Sequence, residues 1–138
     1  MLSRIMAVDY GEKRIGIAHT DLLQMFAKPF KTIPNQGPEK TILAINELIK
    51  EKEVSTLVLG LPLGLEGQET AKTREVLAFA EILRAGITVP LEMWDERLTT
   101  YEAKLELIKM GYDPIKGRKL IDALAAYMIL RSYLETQS

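Results

Sequence analysis

The hydrophobic pattern of the chain contains two kinds of segment. Short and almost continuously apolar runs, such as residues 55–61, predict strands that are buried on both faces. Elsewhere apolar residues recur every three to four positions, as Ile45, Leu48 and Ile49 do, and this spacing predicts an amphipathic helix. The predicted order is strands at 5–8, 15–18 and 27–33, a helix from Pro38, a strand at 55–61, a helix after Thr70, a strand at 87–94, a helix at 100–110 and a last helix through Leu134.

This order of elements predicts an α/β fold. The first three strands follow one another through turns, and we expect them to pair as antiparallel hairpins. Pro29 lies inside the third run and places that strand at an edge of the sheet. The later strands are separated by helices, which implies right-handed crossovers between parallel strands. We therefore expect one domain over residues 1–138, with a mixed five-stranded sheet and helices on both of its faces.

The composition restricts the kind of site that the chain can build. It contains 138 residues, no cysteine and one histidine, which excludes disulfides, thiolate metal sites and histidine-rich zinc sites. Any metal would therefore be held mainly by oxygen. Because 18 Lys and Arg face 19 Asp and Glu, a nucleic acid would have to bind a local basic patch. No apolar run approaches the ~20 residues that span a bilayer, so we expect a cytoplasmic protein without a membrane partner.

Carboxylates occur at places where the pattern predicts a strand end or a buried helix. Asp9 closes the first strand where a turn begins, although an aspartate there often serves only to form the turn. Asp95 and Glu96 follow the strand at 87–94 and should point to opposite faces, so only one of them is a ligand unless the strand has already ended. Asp122 interrupts the apolar start of the last helix. An unpaired acid is costly there, although the helix N-terminus also favours one.

These acids can converge at one end of such a sheet. A site made only of carboxylates suits Mg²⁺ or Mn²⁺. Two such ions ~3.5–4 Å apart can hydrolyse a phosphodiester without histidine or cysteine. The candidate catalytic residues are Asp9, Asp95, Glu96 and Asp122, and the candidate metal ligands among them are Asp9, Glu96 and Asp122.

Several cations close to these acids in the sequence are candidates for binding a nucleic-acid backbone, the alternative being scattered surface charges. Lys72 and Arg74 lie in the first turn of the second helix, where the helix dipole opposes a cation, and we interpret them as solvated residues rather than phosphate contacts. His19 is interpreted as a structural histidine. The candidate substrate-binding residues are Lys13, Arg14, Arg97, Arg118 and Lys119.

Four motifs, spread in order over nearly the whole chain, carry a resemblance to a known family. They are Val8-Asp-Tyr-Gly11 with Arg14-Ile-Gly16, Gly60-Leu-Pro-Leu63 with Gly67, Asp95-Glu-Arg-Leu-Thr-Thr100, and Lys119-Leu-Ile-Asp-Ala-Leu-Ala-Ala126. In these the chain resembles the YqgF/RuvX family of pre-16S rRNA nucleases and Holliday junction resolvase homologues, which have an RNase H-like fold. The resemblance implies a YqgF-type nuclease domain in which Asp9, the Asp95-Glu96 pair and Asp122 form a metal-dependent centre. It also implies that the enzyme processes the 5′ end of a ribosomal RNA precursor.

Other functions remain open at this stage. A Holliday junction resolvase would act on branched DNA and would be expected to work as a two-fold dimer, but no stripe in the sequence identifies a dimer face, so monomer and homodimer both stay open. A nucleotide-binding protein of the actin and sugar-kinase type also begins with Asp-x-Gly, but such proteins clasp ATP between two domains of this kind. A non-catalytic nucleic-acid adaptor would have no need of carboxylates that repel phosphate.

Overall fold

The computed structural model describes residues 2–98, 109, 111 and 121–137. The predicted helix at 100–110 falls almost entirely outside the described residues, as do Arg118 and Lys119. The described elements are β1 (Arg4–Asp9), β2 (Arg14–Thr20), β3 (Ala27–Pro34), α1 (Pro38–Glu51), β4 (Val54–Leu61), α2 (Ala71–Gly86), β5 (Leu91–Asp95), a 3₁₀ turn (Glu96–Leu98) and α3 (Ile121–Gln137).

The five strands form one mixed sheet in the order β3-β2-β1-β4-β5. The first three pair as antiparallel neighbours, whereas β4 is parallel to β1 and β5 is parallel to β4. The predicted arrangement is confirmed, including the position of the proline-containing strand β3 at an edge. Because parallel strands end at the same side of a sheet, the carboxyl ends of β1, β4 and β5 lie together.

Helices cover both faces of the sheet, as the sequence predicts. Side chains alternate along β1, so Met6 and Val8 enter one apolar cluster with residues of α1 and α2. Ile5 and Ala7 enter a second cluster, on the opposite face, with residues of α3. The sheet is therefore the middle layer of the fold, and α3 alone of the described helices packs on its second face.

The strand predicted at 87–94 is shorter and less central than expected. β5 begins only at Leu91 and is an outer strand of the described sheet, with partly buried residues. The preceding backbone is engaged elsewhere, since the amide of Thr88 donates to Asn46 Oδ1 at 3.2 Å and Pro90 has no amide hydrogen to donate to a ladder. At its other end, β5 stops at Asp95, and Glu96 belongs to the 3₁₀ turn.

Local signals in the sequence explain the helix starts. Pro38 occupies the first turn of α1, and Thr70 caps α2 in a reciprocal capping box with Thr73. His19 is 4% exposed with Nδ1 3.0 Å from the carbonyl oxygen of Thr20, and burial lowers its pKa, which agrees with a structural role. Among the described residues, no helix has both the length and the apolar character needed to cross a membrane.

Candidate active site

Asp9 lies at the carboxyl end of β1, the central strand of the sheet. By alternation its side chain is directed to the same face as Ile5 and Ala7, the face that α3 covers. The next residue, Tyr10, faces the other side, where its ring centre lies 4.5 Å from that of Phe79 in α2. Asp9 is thus held between a packed strand and a packed turn, and its carboxylate faces the start of α3.

Gly16 brings the backbone of α3 against the sheet beside Asp9. It is the residue of β2 that pairs with Asp9. A Cβ at Gly16 would lie 1.8 Å from the carbonyl oxygen of Asp122, a distance at which no side chain can exist. The missing side chain therefore permits the close approach that places Asp122 near Asp9.

Gly60 makes room for a second carboxylate on the other side of Asp9. It follows the residue of β4 that pairs with Val8, so it lies next to Asp9 in the sheet. A Cβ at Gly60 would lie 2.4 Å from Ile129 Cδ1 and 3.0 Å from Glu96 Oε1. The side chain of Glu96 thus occupies space that a larger residue at position 60 would remove.

Glu96 and Asp9 form a hydrogen-bonded pair of carboxyl groups. Glu96 follows β5 in the 3₁₀ turn, two positions after Trp94, which packs on the α3 face to which Asp9 is also directed. Burial, the negative charge of Asp9 and the shared hydrogen bond raise the pKa of Glu96 to about 8. Burial also raises the pKa of Asp9, and the nearby charge of Asp122 acts in the same direction. Near neutral pH the two groups therefore share a proton, with the protonated Glu96 donating to Asp9.

Asp95 has a different partner. Its Oδ2 lies 2.7 Å from Arg97 Nη2, and Arg97 Nε donates to both of its oxygens at 3.1 Å. Hydrogen bonds from Arg97 lower the pKa of Asp95. The same guanidinium donates through Nη1 to the carbonyl oxygen of Leu65 at 3.3 Å. Asp95 and Arg97, predicted as a catalytic and a substrate-binding residue, are thus bound to each other and to the loop after β4, while Glu96 is the acid that meets Asp9.

Asp122 is bound by Arg14 rather than by the carboxyl pair. Arg14 Nε lies 3.0 Å from Asp122 Oδ2, and the two side chains are 63% and 24% exposed. Lys13, the neighbouring candidate, is exposed at the β1–β2 turn. Within the described part of the chain, no group of three or more His, Asp or Glu side chains is arranged to hold a metal ion. The predicted ligands Asp9 and Glu96 are in contact, and Asp122 is adjacent but engaged.

Lys72 belongs to this site, although its sequence position favoured a solvated residue. It lies in the first turn of α2, with Nζ 5.2 Å from the ring centre of Tyr10 and 4.0 Å from Glu75 Oε2. Its positive charge acts on both Asp9 and Glu96 and lowers their pKa values, partly offsetting the effect of burial. One signal of this role was present in the sequence. The helix dipole disfavours a cation at a helix N-terminus, so the presence of Lys72 there indicates some other interaction.

Ser132 is a residue that the sequence did not single out. Trp94 Nε1 donates to Ser132 Oγ at 3.0 Å, and Ser132 Oγ donates to the carbonyl oxygen of Leu98 at 3.0 Å. This chain of hydrogen bonds fastens both ends of the segment that carries Glu96 to α3. The sequence does not mark Ser132, because a serine within a helix is common and its hydrogen-bond partners are known only from the fold.

The carboxyl groups of the site have the chemistry that a divalent cation requires. They offer only oxygen donors, as hard cations prefer. Two partly buried carboxyl groups in contact keep a proton between them unless a cation takes its place. Asp9 and Glu96 together retain a proton to unusually high pH, so the pair fits a metal ion that would take the place of this proton.

Comparison with known proteins assigns the chain to a family. A family model described as RuvX, Holliday junction resolvase, matches residues 3–136. A protein of Clostridioides difficile (strain 630) is 39% identical over 132 residues, which covers 96% of this chain and 94% of that protein. A protein of Endomicrobium trichonymphae is 42% identical over 138 residues, or 99% of each chain. Both carry the name "Putative pre-16S rRNA nuclease".

Solved structures show the same fold at low sequence identity. Thermus thermophilus RuvC in complex with a Holliday junction substrate has a TM-score of 0.57 and 14% identity, with 97% of this chain and 96% of that chain covered. Fowlpox virus resolvase in complex with Holliday junction DNA has a TM-score of 0.58 and 13% identity, with 97% and 98% covered. The predicted RNase H-like fold class and the predicted enzyme class, a hydrolase acting on phosphodiester bonds, are confirmed. The match over residues 3–136, together with relatives about 40% identical along nearly their whole length, shows that the chain belongs to the RuvX (Holliday junction resolvase) family.

Proposed function

We propose that this protein is a metal-dependent nuclease that processes the 5′ end of precursor 16S ribosomal RNA. The observation that carries the proposal is the contact between Asp9 and Glu96, two partly buried carboxyl groups with raised pKa values at the carboxyl end of the central strands. The choice of RNA follows the names of the relatives, which cover almost the full length of the chain.

The proposed cofactor is Mg²⁺ or Mn²⁺, held by Asp9 and Glu96 with Asp122 as the third carboxylate. Membership of a family of resolvases and nucleases implies a divalent metal in general. Such an ion, when bound, supplies Lewis-acid catalysis for hydrolysis of the phosphodiester. Before it binds, the proton shared by Asp9 and Glu96 keeps the two carboxyl groups together and limits their repulsion.

Cations around the acid pair are proposed to position the nucleic acid. Arg14 on β2 binds Asp122, and the charge of Lys72 on α2 acts on Asp9. Both cations are exposed enough to meet a phosphate. Lys13 adds an exposed charge at the turn next to Arg14. Arg97 is proposed to act differently, since its bonds to Asp95 and Leu65 hold the loop after β4 against the 3₁₀ turn.

A second candidate function is resolution of Holliday junctions in DNA. The family description names this activity, and the resolvase structures show the same fold. A resolvase that cuts two strands symmetrically is expected to be a two-fold dimer, whereas trimming of an RNA end has no such requirement. Measurement of the molar mass in solution, free and with each substrate, separates the two expectations.

The test is cleavage of two end-labelled substrates, precursor 16S rRNA and a four-way DNA junction, in Mg²⁺, Mn²⁺ or EDTA. The wild type is compared with Asp9→Asn and Glu96→Gln. Glu81→Gln is the matched control, because it makes the same chemical change in a side chain that is 80% exposed on α2. We expect metal-dependent cleavage of the RNA that both site variants lose and the control retains.

The outcomes separate the candidates. Cleavage of the junction alone would replace the RNA substrate by DNA and keep the active site. Cleavage that survives in both site variants would exclude the carboxyl pair as the catalytic centre. Binding of RNA without metal and without cleavage would favour the adaptor.

A further inference from the structure

The ion pair between Arg14 and Asp122 engages one of the three proposed metal ligands. Asp122 Oδ2 accepts from Arg14 Nε at 3.0 Å, although the charge of Asp122 is close enough to raise the pKa of Asp9. The carboxylate is therefore at the site but turned to a cation of the chain itself. Among the described residues, no three acidic side chains are arranged to hold a metal ion.

We propose that Arg14 is a positioning residue that couples nucleic-acid binding to metal binding. Without nucleic acid, Arg14 holds Asp122. When a phosphate of the nucleic acid takes the guanidinium, Asp122 is released to join Asp9 and Glu96. The inference rests on the proposed function, since it requires that both a metal ion and a nucleic acid bind at this site.

The geometry of the pair suits such an exchange. Asp122 uses only Nε of Arg14, so the two terminal nitrogens are not committed to it, and the arginine side chain is 63% exposed. A phosphate is a strong bidentate acceptor for those nitrogens. The backbone at Asp122 is fixed, because its carbonyl oxygen lies against Gly16. Only the carboxylate of Asp122 and the guanidinium of Arg14 therefore need to change partners.

Thermodynamic linkage makes the coupling reciprocal and measurable. If nucleic acid weakens the hold of Arg14 on Asp122, then metal affinity rises with nucleic acid bound, and nucleic-acid affinity rises with metal by the same factor. A partly exposed ion pair of this kind limits the factor to about two- to fivefold. A variant without Arg14 should therefore have the higher metal affinity even when no nucleic acid is bound.

The first measurement is a calorimetric titration of the full-length protein with Mn²⁺ in the absence of nucleic acid. We expect Arg14→Gln to bind Mn²⁺ about two- to fivefold more tightly than the wild type. Lys13→Gln is the matched control, because it removes the same charge from the adjacent exposed position. The gain should also vanish when Asp122→Asn is combined with Arg14→Gln, since the ligand to be released is then absent. Arg14→Lys, which retains the charge, should fall between the wild type and Arg14→Gln.

The second measurement is binding of a short RNA that spans the 5′ end of 16S rRNA, made in EDTA so that no metal-dependent cleavage occurs. Arg14→Gln should weaken binding and reduce the slope of log affinity against log salt by about 0.7–0.9, as expected for one phosphate contact. The inference is overturned if Arg14→Gln and Lys13→Gln change Mn²⁺ affinity equally. It is also overturned if the gain in Mn²⁺ affinity persists when Asp122→Asn is added, or if Arg14→Gln leaves RNA affinity unchanged.

Neither measurement uses cleavage, so the two proposals can fail separately. If Arg14→Gln shows both affinity changes but the wild type cuts neither substrate, the proposed nuclease function is refuted and the coupling is retained. A wild type that cuts RNA while Arg14→Gln alters neither affinity would refute the coupling alone.

Discussion

Asp95 and Glu96 are adjacent in the chain but lie in opposite electrostatic environments. Asp95 ends β5, is bound by the guanidinium of Arg97, and has a lowered pKa. Glu96 begins the 3₁₀ turn, is buried against Asp9, and has its pKa raised to about 8. The carboxylate of Asp95 is bound by a cation, whereas Glu96 lies against a second carboxyl group and retains a proton.

The alternation of side chains along β5 decides which of the two acids meets Asp9. Trp94 packs on the α3 face, to which Asp9 is also directed, and Met93 packs on the other face. Glu96, two positions after Trp94, is therefore directed to the face of Asp9, whereas Asp95 fastens the loop through Arg97. Adjacent carboxylates thus divide into a structural and a proposed catalytic role.

The largest expected effect is on cleavage. Glu96→Gln should lower the rate of metal-dependent cleavage by more than about a hundredfold, because Glu96 is a proposed metal ligand and loss of a ligand costs at least as much as loss of the groups that support it. Asp95→Asn should remain within about tenfold of the wild type, since it acts only through Arg97. Initial rates on end-labelled precursor rRNA at saturating Mg²⁺ measure both, and equal losses would contradict the division of roles.

The next effect is on stability against pH in EDTA. The folded state holds the Glu96 proton up to about pH 8, whereas the unfolded chain releases it near the ordinary value of 4.5. The free energy of unfolding should therefore fall as pH rises through this range, by about 2–4 kcal/mol given partial exposure. Chemical denaturation at several pH values should show a flatter curve for Glu96→Gln.

Asp95 should show the opposite sign in the same experiment. Its folded pKa lies below its ordinary value, so its contribution is present above the ordinary pKa and is lost as pH falls through the folded pKa. Asp95→Asn should thus alter only the acid limb of the curve. A change confined to pH 5–8 in this variant would refute the assignment.

A smaller effect is expected from filling the space beside Glu96. Gly60→Ala places a Cβ 2.4 Å from Ile129 Cδ1 and 3.0 Å from Glu96 Oε1, and Ile129 is 1% exposed. Stability should fall by about 1–3 kcal/mol. Gly64→Ala is the control, because its Cβ would meet only the amide end of the exposed Gln68 side chain, which can turn into solvent. Thermal unfolding of both variants makes the comparison, and equal melting would show that position 60 has room to spare.

The smallest effect tests whether Lys72 belongs to the Glu96 environment. Its charge lowers the pKa of both Asp9 and Glu96, so Lys72→Met should raise them and move the pH of half-maximal Mn²⁺ binding upward by less than about one unit. Arg74→Met removes an exposed cation from the same helical turn and should leave the midpoint unchanged. Identical midpoints for the two variants would place Lys72 outside the site.

The strands and helices were predictable because they follow local rules. The apolar run before Asp9, Pro29 in an edge strand, Pro38 at a helix start and Thr70 as a cap each depend on a few neighbouring residues. The predicted start of β5 was wrong because the backbone at Thr88 is bound by Asn46, 42 positions away. No local pattern contains that contact.

The candidate site was predictable in its acids and not in their partners. Asp9, Glu96 and Asp122 stood out because carboxylates at strand ends or in apolar helices are costly. The choice between Asp95 and Glu96 required the face on which Trp94 packs, which is known only from the fold. The part played by Gly16 and Gly60 required the packing of α3, since a glycine shows its purpose only when something occupies the space of its absent side chain.

The contact between Arg14 and Asp122 joins residues 108 positions apart in the chain. Synthesis proceeds from the N-terminus at about 5–20 residues per second, so Asp9 leaves the ribosome several seconds before α3. During that interval β1 and β2 expose the apolar face that α3 later covers, and Asp9 lacks its neighbour from the last helix. Asp122 can therefore come next to Asp9 only after α3 has been translated.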